Sequence, residues 1–502
     1  MLNVKECLWA PEVTLLGGLY FSFLTDPKAH RQVVCKRQIA VDATNGYCVL
    51  SNELPWGKKS VTNEKLLYIE TFGCQMNVSD SEKITTLLKG IGYAPTSDFT
   101  TADLIILNTC SVRAKAEQKV YGHLGRYKGM KREKRGLLLG VGGCVAQQEG
   151  ERLLKKVPWL DLVFGTHNLH LLPEIVTAAE QGERRAEVGF IDNEQRLDLF
   201  PQSVGGAGVT RFVTVMQGCD NFCSYCIVPY VRGREISRRS ADVFTEIRSA
   251  VAAGVKEVTL LGQNVNSYGL KTPGELTFAQ LLREIAQIEG LERIRFTTSH
   301  PKDLSPELIA CFAEIPKLCG HMHLPAQSGS DAVLARMKRG YTRREYLEKV
   351  AALKSVRPDI QLTGDIIVGF PGETADDFRQ TLSLMEEVGY ADLFTFLYSP
   401  RPETEAAGLP DRVTRKVMQE RFDEVQDLLR IMARQRNESF VGTRQKILVE
   451  GLSKRGDQLF GRTEGNQIVN FTADPALVGS VATVLITCGY QNSLQGEIAH
   501  DD

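Results

Sequence analysis

The stretch MQGCDNFCSYC, residues 216–226, places Cys219, Cys223 and Cys226 in a Cys-x3-Cys-x2-Cys pattern. Thiols this close in sequence can surround one soft metal centre, and cysteine thiolates are the usual ligands of iron–sulfur clusters. A four-iron cluster held by three cysteines keeps one iron open for a substrate or cofactor. The alternatives are a zinc site completed by a distant His or Cys, and three unrelated core cysteines. The close spacing favours the iron–sulfur site.

The segment before this triplet, FVTVMQ, is predicted to be a buried strand. The spacing of the triplet, with the aromatic Tyr225 directly before the third cysteine, resembles the signature of the radical S-adenosylmethionine superfamily. The resemblance implies that the triplet holds a 4Fe-4S cluster whose open iron binds S-adenosylmethionine. It also implies that Tyr225 lies at the cofactor and that one electron from the cluster releases a 5'-deoxyadenosyl radical. That chemistry belongs to the cofactor, which the protein positions.

The composition is that of a soluble globular protein with about three domains. The chain has 502 residues, of which 43% are hydrophobic and 24% are charged. No apolar run approaches the roughly 20 residues that span a bilayer, so we predict no membrane partner. The formal net charge of −1 means that any RNA contact must come from local basic patches. The 12 cysteines do not resemble a secreted disulfide framework, and oxygen-labile clusters favour a reducing cytoplasm.

Residues 1–60 differ in pattern from the rest of the chain. They show no sustained helix or strand period, and we predict a poorly ordered extension. The first domain begins near Glu64. One hypothesis is that translation starts at Val61 and that the earlier residues are a gene-calling artefact, which mass spectrometry of the native N-terminus would test.

Three further cysteines each follow a run of strand-like residues. KLLYIETFGC ends at Cys74, ADLIILNTC at Cys110 and LLLGVGGC at Cys144. The segments between them have helical patterns, and Ser79 or Asp80 is predicted to cap the first helix. Because carboxyl ends of parallel strands share one edge of a sheet, we expect these cysteines to converge. The alternative is three buried structural cysteines, but their shared position favours a second four-iron cluster with an open iron.

The motifs TFGCQMN, NTCSVR and GCVAQ around these cysteines resemble those of the methylthiotransferase family, from about residue 64 to the C-terminus. One branch of that family modifies a ribosomal-protein aspartate, a second threonylcarbamoyl-adenosine in tRNA, and a third N6-dimethylallyl-adenosine in tRNA. The motifs at 72–77, 262–268 and 296–301 are similar to the third branch. The resemblance implies an auxiliary 4Fe-4S cluster at Cys74, Cys110 and Cys144 that carries the sulfur. It also implies two molecules of S-adenosylmethionine, one as methyl donor and one as radical source.

The predicted fold class is α/β in three domains. Residues 64–182 are expected to form an open parallel α/β domain. Alternating strand and helix patterns over 205–436 predict a parallel sheet, and six units indicate a partial (β/α)6 barrel of the radical S-adenosylmethionine type. Residues 439–500 have short strands that suggest a small β-barrel and resemble a TRAM RNA-binding domain, most clearly in GRTEGNQIVNF.

Predicted cofactor contacts lie where the barrel strands end, as functional side chains of such barrels do. The resemblance assigns the amino group of S-adenosylmethionine to the end of the second strand, the ribose to the fourth and the adenine to the fifth. The residues at these three places are Gln263 and Asn264, then Gln327 and Ser328, then Asp365. Arg234 and Arg238 are predicted to bind the cofactor carboxylate or a phosphate. The alternative for the amides is that they only satisfy backbone groups.

Basic residues suggest where RNA binds. The runs 126–135 and 336–345 are rich in Lys and Arg and contain Tyr127 and Tyr341. Each run can be an ordinary solvated face, although the interleaved tyrosines favour RNA contact. In the last domain the predicted contacts to the RNA backbone are Lys446, Lys454, Arg455 and Arg462.

His321 and His323 alternate along one predicted strand and therefore face the same side. A metal site is one reading of this pair, but a packed or hydrogen-bonded role is favoured. Cys311, Cys319 and Cys488 are predicted to be core residues.

The resemblance thus predicts a tRNA methylthiotransferase that adds a methylthio group to carbon 2 of N6-dimethylallyl-adenosine at position 37, beside the anticodon. An aromatic C–H is too weakly acidic for a general base, so a radical route is chemically reasonable. Expected partners are tRNA, an electron donor such as flavodoxin or ferredoxin, and a source of sulfur or clusters. The rivals are methylthiolation of another target and a non-catalytic iron–sulfur protein that binds RNA or senses redox state. The two three-cysteine sites argue against the latter.

Overall fold

The computed structural model describes residues 64–111, 114–191, 208–454 and 456–499, and three short strands before them. Those strands form an antiparallel sheet in a separate unit, Met1–Glu64. They are β1 (Gln32–Val34), β2 (Ala40–Asp42) and β3 (Tyr47–Cys48). The rest of the predicted extension, its proposed start at Val61, and Arg455 lie outside the described residues. None of the described helices combines the length and the apolar character that crossing a bilayer requires.

The N-terminal domain is an open, six-stranded parallel sheet in the order β5-β4-β6-β7-β8-β9, as predicted. Its strands are β4 (Lys65–Thr71), β5 (Tyr93–Pro95), β6 (Leu104–Thr109), β7 (Leu138–Gly143), β8 (Leu162–Phe164) and β9 (Arg185–Glu187). Its helices are α1 (Gln75–Lys89), α2 (Ala114–Glu133), α3 (Cys144–Glu149), α4 (Glu151–Lys156) and α5 (Leu172–Glu180).

The central strands of this sheet are buried on both faces, which explains their continuous apolar sequences. Every residue of β6 and β7 is buried. Leu104 and Ile106 pack into one hydrophobic cluster, whereas Ile105 and Leu107 pack into another. Alternating side chains therefore serve two cores, one on each side of the sheet.

The first helix begins earlier than the sequence suggested. Helix α1 starts at Gln75 with Cys74 at its N-cap, and the Cys74 side chain makes no capping hydrogen bond. The predicted caps, Ser79 and Asp80, lie inside the helix and are buried. The capping prediction was wrong because these polar residues face the neighbouring domain instead of the helix terminus.

The central domain is the predicted partial barrel of six parallel strands. It consists of two three-stranded sheets joined by a bridge between Ile294 and Leu318. The strands are β10 (Thr210–Thr214), β13 (Glu257–Leu261), β14 (Arg293–Thr297), β15 (His321–His323), β16 (Gln361–Val368) and β17 (Asp392–Leu397). A small antiparallel pair, β11 (Met216–Gln217) with β12 (Ile236–Ser237), flanks the triplet.

Helices surround this barrel, and several of the loops that lead into them end in capping boxes, as at Thr277, Thr342 and Thr374. The helices are α6 (Val228–Arg232), α7 (Ser240–Ala252), α8 (Phe278–Ala286), α9 (Pro306–Glu314), α10 (Asp331–Arg336), α11 (Arg343–Val356), α12 (Ala375–Val388) and α13 (Arg415–Ser439).

The C-terminal domain is a closed five-stranded barrel in the order β18-β19-β20-β22-β21. Its strands are β18 (Arg444–Leu452), β19 (Leu459–Arg462), β20 (Ile468–Thr472), β21 (Val481–Gly489) and β22 (Leu494–Ile498). All five lie within residues 439–500, where short strands and a small β-barrel were predicted. Strand β22 closes the barrel by pairing with both β20 and β21.

This small barrel packs against the amino-terminal ends of the central strands. Arg295 forms a buried ion pair with Glu257 at 2.9 Å and donates to the carbonyls of Thr463 and Glu464, each at 2.7 Å. Arg293 donates to the carbonyls of Arg462 and Lys446. The domain therefore lies at the end of the central barrel opposite the cysteine triplet.

Replacing Arg295 with Ala should destabilise the protein by about 3 kcal/mol, because it leaves the Glu257 carboxylate buried without its partner. Calorimetric melting of the apoprotein measures this change. The matched control is Arg283→Ala, since Arg283 forms exposed ion pairs with Glu307 and Glu314 and should cost less than about 1 kcal/mol. Equal effects of the two substitutions would contradict the prediction.

Candidate functional site

The three cysteines of the N-terminal domain lie at the carboxyl edge of its sheet. Cys74 precedes α1, Cys110 directly follows β6, and Cys144 begins α3 at the end of β7. All three are free thiols. A hydrogen bond joins Cys74 to Cys110, and Cys74 and Cys144 interact electrostatically. The predicted convergence of these residues is therefore present.

Two glycines allow this close approach. Gly73 has φ +125°, and a Cβ atom there would lie 2.2 Å from the Cβ of Cys110. Gly143 has φ +88°, and a Cβ atom there would lie 2.3 Å from the carbonyl oxygen of Thr109. Both positions require glycine, for its backbone freedom and for its lack of a side chain.

Two buried asparagines tie the cysteine loops together. The Nδ2 of Asn77 donates to the Oδ1 of Asn108 at 3.1 Å and to the carbonyl of Thr109 at 3.0 Å. In return, the Nδ2 of Asn108 donates to the carbonyl of Asn77 at 2.8 Å. The thiol of Cys74 also donates to the Oδ1 of Asn77 at 3.3 Å. Both asparagines stood in the quoted motifs, but the sequence did not reveal their pairing.

The thiols of this site have different acidities. The hydrogen bond from Cys110 lowers the pKa of Cys74 to about 6, against the opposing effect of burial and with help from the charge of Arg232. Burial raises the pKa of Cys144 above its ordinary value. Cys74 therefore loses its proton more readily than Cys144, and thiolates are the form that ligates metals.

The second triplet forms a compact loop after β10 and β11. Cys219 and Cys223 are buried, and both interact electrostatically with Cys226. Burial raises the pKa of Cys219 to about 11 and that of Cys226 to about 12. Between them Phe222 adopts φ +44°, an uncommon conformation for a residue with a side chain. Cys219 and Cys226 are therefore protonated at neutral pH, and a metal centre that binds them must displace their protons.

A buried arginine supports this triplet and was missed as a site residue. The Nη1 of Arg339 lies 3.4 Å from the sulfur of Cys223 and 3.5 Å from the hydroxyl of Tyr225, and its Nε donates to the Tyr341 hydroxyl at 3.0 Å. The Nε2 of His300 lies 4.0 Å from the same sulfur. Burial and the nearby charges of Arg339, Lys302 and Lys349 lower the pKa of His300 to about 2, so this imidazole is neutral.

These contacts correct the interpretation of the basic runs. Arg339 and Tyr341 are only 4% and 8% exposed, and they belong to the cysteine site. Tyr127 of the other run is 1% exposed and donates its hydroxyl to Glu70. Neither tyrosine can therefore stack on RNA in this fold. Lys and Arg side chains of both runs, such as Arg126 and Arg344, remain exposed.

One of the two amides after the second barrel strand contacts the loop of the triplet. The Oε1 of Gln263 accepts a hydrogen bond from the backbone N–H of Gly218, the residue before Cys219, at 2.5 Å. Asn264 is 1% exposed and its Nδ2 donates to Asp303 at 2.7 Å. Its Oδ1 is buried and has no hydrogen-bond partner among the described residues. A buried acceptor without a donor is a place where a ligand amino group fits.

The other predicted cofactor residues lie after the fourth strand and within the fifth. Gln327 has φ +74° and donates its backbone N–H to the carbonyl of Asp365 at 2.9 Å. The hydroxyl of Ser328 is 3.3 Å from that of Thr381 and accepts from the N–H of Ser330. Strand pairing thus brings Gln327 and Asp365 together, whereas the Ser328 hydroxyl is engaged in local structure.

Arg238 is the predicted contact that the structure argues against. It is 3% exposed, pairs with Glu246 at 2.7 Å and donates to the carbonyl of Thr214 at 2.6 Å. Binding a cofactor carboxylate would leave Glu246 buried without its partner, which costs several kcal/mol, about 3 to 5. Arg234, by contrast, has an exposed side chain that pairs with Asp220.

His321 and His323 face the same side of β15, as predicted. The Oγ1 of Thr363 lies 3.3 Å from His321 and 3.2 Å from His323, and His323 is 3.5 Å from the carboxylate of Asp365. Burial and the charge of Arg295 lower the pKa of His321 to about 3. This is the packed, hydrogen-bonded role that the sequence favoured.

The chemistry of the donors fits iron–sulfur clusters at both triplets. Each site supplies three free cysteines and a nearby guanidinium, Arg232 at the first and Arg339 at the second. Within the described residues, no three His, Cys, Asp or Glu side chains converge as ligands of a single ion. The cysteines of a cluster bind separate irons, so their sulfurs stand further apart than the ligands of one ion.

The two triplets approach each other at the domain junction. Helix α6 begins just after Cys226, and the neighbouring Ile227 and Val231 pack against Cys144. On the other side of the junction, the Oγ of Ser79 and the Nζ of Lys83 lie 3.1 and 3.4 Å from the hydroxyl of Thr214, at the end of β10. One short segment therefore links the two cysteine sites.

Comparisons with known proteins agree with this architecture. Three family models match the chain: Uncharacterized protein family UPF0004 over 66–165, Radical SAM superfamily over 213–385 and TRAM domain over 438–499.

Two solved structures of the radical S-adenosylmethionine methyltransferase TsrM from Kitasatospora setae share the fold. One has cobalamin and a 4Fe-4S cluster bound, with TM-score 0.53 at 17% identity, covering 68% of this chain and 74% of that one. The other has tryptophan and aza-SAM bound, with TM-score 0.51 at 17% identity, covering 68% and 75%.

Curated relatives match over nearly their whole length. The tRNA-2-methylthio-N(6)-dimethylallyladenosine synthase of Geobacter sulfurreducens is 76% identical over 441 residues, covering 88% of this chain and 99% of that protein. The protein of the same name from Geobacter metallireducens is 75% identical over 439 residues, covering 88% and 99%. That from Geotalea uraniireducens is 70% identical over 438 residues, covering 87% and 100%.

The partial barrel with its triplet after the first strand, joined to a second cysteine-bearing domain and a TRAM barrel, is that of a radical S-adenosylmethionine enzyme, and the relatives place it in the methylthiotransferase class. At the identities just given, the chain belongs to the family of tRNA-2-methylthio-N(6)-dimethylallyladenosine synthases. The predicted fold class and family are thereby confirmed.

The acidity of Cys74 predicts a selective reaction of the apoprotein. Because the pKa of Cys74 is about 6, its alkylation by iodoacetamide should rise with pH through a midpoint near that value. Cys219, whose pKa is about 11, should stay unreactive at neutral pH. Peptide mass spectrometry after short pulses between acidic and alkaline pH measures both residues. A midpoint for Cys74 at the pKa of an ordinary thiol would contradict the prediction.

The close approach at Gly73 gives a second prediction. Gly73→Ala should remove about half of the bound iron after anaerobic reconstitution, because the new Cβ pushes Cys110 away from Cys74. Gly92→Ala is the matched control: Gly92 also has a positive φ of +90°, but nothing lies within 4 Å of its Cβ position. That variant should be strained yet retain its iron. Equal iron loss in both would assign the effect to backbone strain alone.

Proposed function

We propose that the chain adds a methylthio group to carbon 2 of N6-dimethylallyl-adenosine at position 37 of tRNA. The observation that carries the proposal is the match to relatives whose name specifies this modified nucleoside, 76% identical over 88% of the chain. It is supported by two separate three-cysteine sites that meet at one domain junction.

When bound, a 4Fe-4S cluster with S-adenosylmethionine at Cys219, Cys223 and Cys226 would supply the radical, and a second cluster at Cys74, Cys110 and Cys144 would supply the sulfur. The protein positions both. At the auxiliary site, the paired side chains of Asn77 and Asn108 fix the loops that carry Cys74 and Cys110.

At the radical site, the chain's own residues orient the cofactor and exclude water. Gln263 fixes the backbone just before Cys219, and the unpartnered Oδ1 of Asn264 would accept from the amino group of S-adenosylmethionine. Gln327, after the fourth strand, and Asp365, within the fifth, are adjacent where the nucleoside part would lie. Tyr225, held by Arg339 and packed near Phe370, closes one side. Burial of Cys219 and Cys223 keeps solvent from the reactive centre.

The proposed tRNA contacts divide between two places. The target base would enter at the junction of the triplets, whereas Lys446 and Lys454 are exposed on the TRAM barrel. Arg462 pairs with Glu450, so it is the weaker candidate. Because the TRAM barrel packs at the opposite end of the central barrel, an RNA that touches both must run along the side of the protein. An electron donor such as flavodoxin or ferredoxin, a source of sulfur or clusters, and a cytoplasmic location complete the proposal.

The two rival functions differ in what they predict for tRNA. An enzyme for threonylcarbamoyl-adenosine or a ribosomal protein would leave N6-dimethylallyl-adenosine unmodified in reconstituted reactions. A non-catalytic iron–sulfur protein would fail to cleave S-adenosylmethionine under reduction. Nucleoside mass spectrometry of the treated tRNA tests the first rival, and an assay of S-adenosylmethionine cleavage by the reduced enzyme tests the second.

Replacing Cys74, Cys110 and Cys144 with Ala together should abolish methylthiolation, by more than about a hundredfold, yet preserve cleavage of S-adenosylmethionine. Replacing Cys219, Cys223 and Cys226 should abolish both reactions. Cys311→Ala is the control, since Cys311 lies in the core of α9 and should affect neither. Methylthiolation by the first variant would refute the auxiliary-site role.

A further inference from the structure

A buried arginine from the radical domain reaches into the auxiliary cysteine site. Arg232 is the last residue of α6, the helix that starts just after Cys226, and it is 3% exposed. Its Nη1 lies 2.9 Å from the Oδ2 of Asp80, whose side chain is 4% exposed. Asp80 lies on α1, which begins directly after Cys74. The ion pair therefore joins the segments that follow the two triplets.

The same guanidinium contacts the auxiliary thiols. Arg232 forms a hydrogen bond with Cys144 and interacts electrostatically with both Cys144 and Cys74. Arg232 therefore lies beside two of the three auxiliary cysteines, although its own domain contributes no cysteine to that site.

The backbone around Arg232 is held in place from the N-terminal domain. The hydroxyl of Thr166 donates to the carbonyl of Val231 at 2.6 Å, and the Nε2 of His167 lies 2.9 Å from the carbonyl oxygen of Arg232. Thr166 in turn donates its N–H to Gln147 on α3, the helix that Cys144 begins. These contacts hold the backbone that carries the Arg232 side chain, independently of Asp80.

Stability alone does not explain such an ion pair. Burying two charges costs about as much as their attraction returns, and apolar replacements of buried pairs are often neutral or stabilising. Beside a group of thiolates, however, a fixed cation lowers the cost of gathering negative charge in the interior. Groups in the outer shell of a metal site commonly serve this purpose.

We propose that Arg232 is a positioning residue of the auxiliary site. Its guanidinium compensates the negative charge of the cysteine-bound cluster at Cys74, Cys110 and Cys144, and its pairing with Asp80 fixes this site relative to the segment that carries Cys226. The inference rests on the proposed function, because it assumes that a cluster binds at these three cysteines.

The experiment isolates the auxiliary site in the full chain by replacing Cys219, Cys223 and Cys226 with Ala. In this background, anaerobic reconstitution with iron and sulfide should load about four irons. The rate at which a chelator removes them is then followed by absorbance and by electron paramagnetic resonance. Adding Arg232→Met should make iron release about 10- to 100-fold faster, a magnitude typical of lost outer-shell contacts.

A second variant separates charge compensation from folding. Arg232→Met alone leaves Asp80 buried without its partner, whereas Asp80→Asn with Arg232→Met removes both charges. The double variant should melt close to the parent as apoprotein but release iron as fast as Arg232→Met. The matched control is Arg238→Met with Glu246→Gln. This ion pair of the central domain is equally buried, with side chains 4% and 3% exposed. The control variant should release iron at the rate of the parent.

The outcomes distinguish the two proposals. A background that loads no iron would refute the auxiliary cluster and with it the proposed function. A background that loads iron, combined with a double variant that retains it as tightly as the parent, would overturn the role of Arg232 and leave the proposed function intact. Fast release in the control pair as well would overturn it too, because any buried pair would then matter equally.

Discussion

The structure depends on one geometric constraint. The thiols of Cys74, Cys110 and Cys144 are far apart in sequence, yet they must lie close together, with no disulfide to join them. Parallel strands satisfy it, because their carboxyl ends share an edge. Strands β4, β6 and β7 are neighbours in register, with Thr71 opposite Asn108 and Thr109 opposite Gly143. The cysteines that follow these strands therefore start close together. Two further features bring the cysteine loops into contact. Gly73 has no side chain to keep Cys110 away, and the paired amides of Asn77 and Asn108 hold the loops together.

A second consequence concerns the face of α1. A helix packed on a core normally buries apolar residues, yet α1 buries Asn77, Ser79, Asp80 and Lys83. Each has a polar partner, among them Thr214 and Arg232 of the neighbouring domain. Buried polar groups are tolerable only when they are paired, so the two domains can dock in this way only with their partners aligned. A polar junction thus fixes the relative placement of the two cysteine sites more strictly than an apolar contact would.

The sequence predicted what is local or periodic. The spacing of Cys219, Cys223 and Cys226, the strand-like runs before the other three cysteines and the alternation of strands and helices were sufficient for the fold class and for both triplets. Residues whose partners become neighbours only in the folded chain were misjudged. Arg339 looked like part of a solvated basic run, because nothing near it in sequence reveals that the chain folds it against Cys223. Arg238 looked available for a ligand, because its partner Glu246 becomes a neighbour only once β12 and α7 are placed.

The arrangement of the domains also bears on how one adenosine is selected. With a net charge of −1, the chain has no global attraction to RNA, and exposed cations such as Lys446 and Lys454 lie on a domain at the far end of the barrel from the triplets. Contacts to phosphates orient a nucleic acid but carry little information about its bases. Discrimination of the modified adenine must therefore fall to the residues at the junction of the two triplets. Under the proposed function, the groups that hold this junction together, Arg232 and Asp80 among them, would influence both where the sulfur is held and which base can reach it.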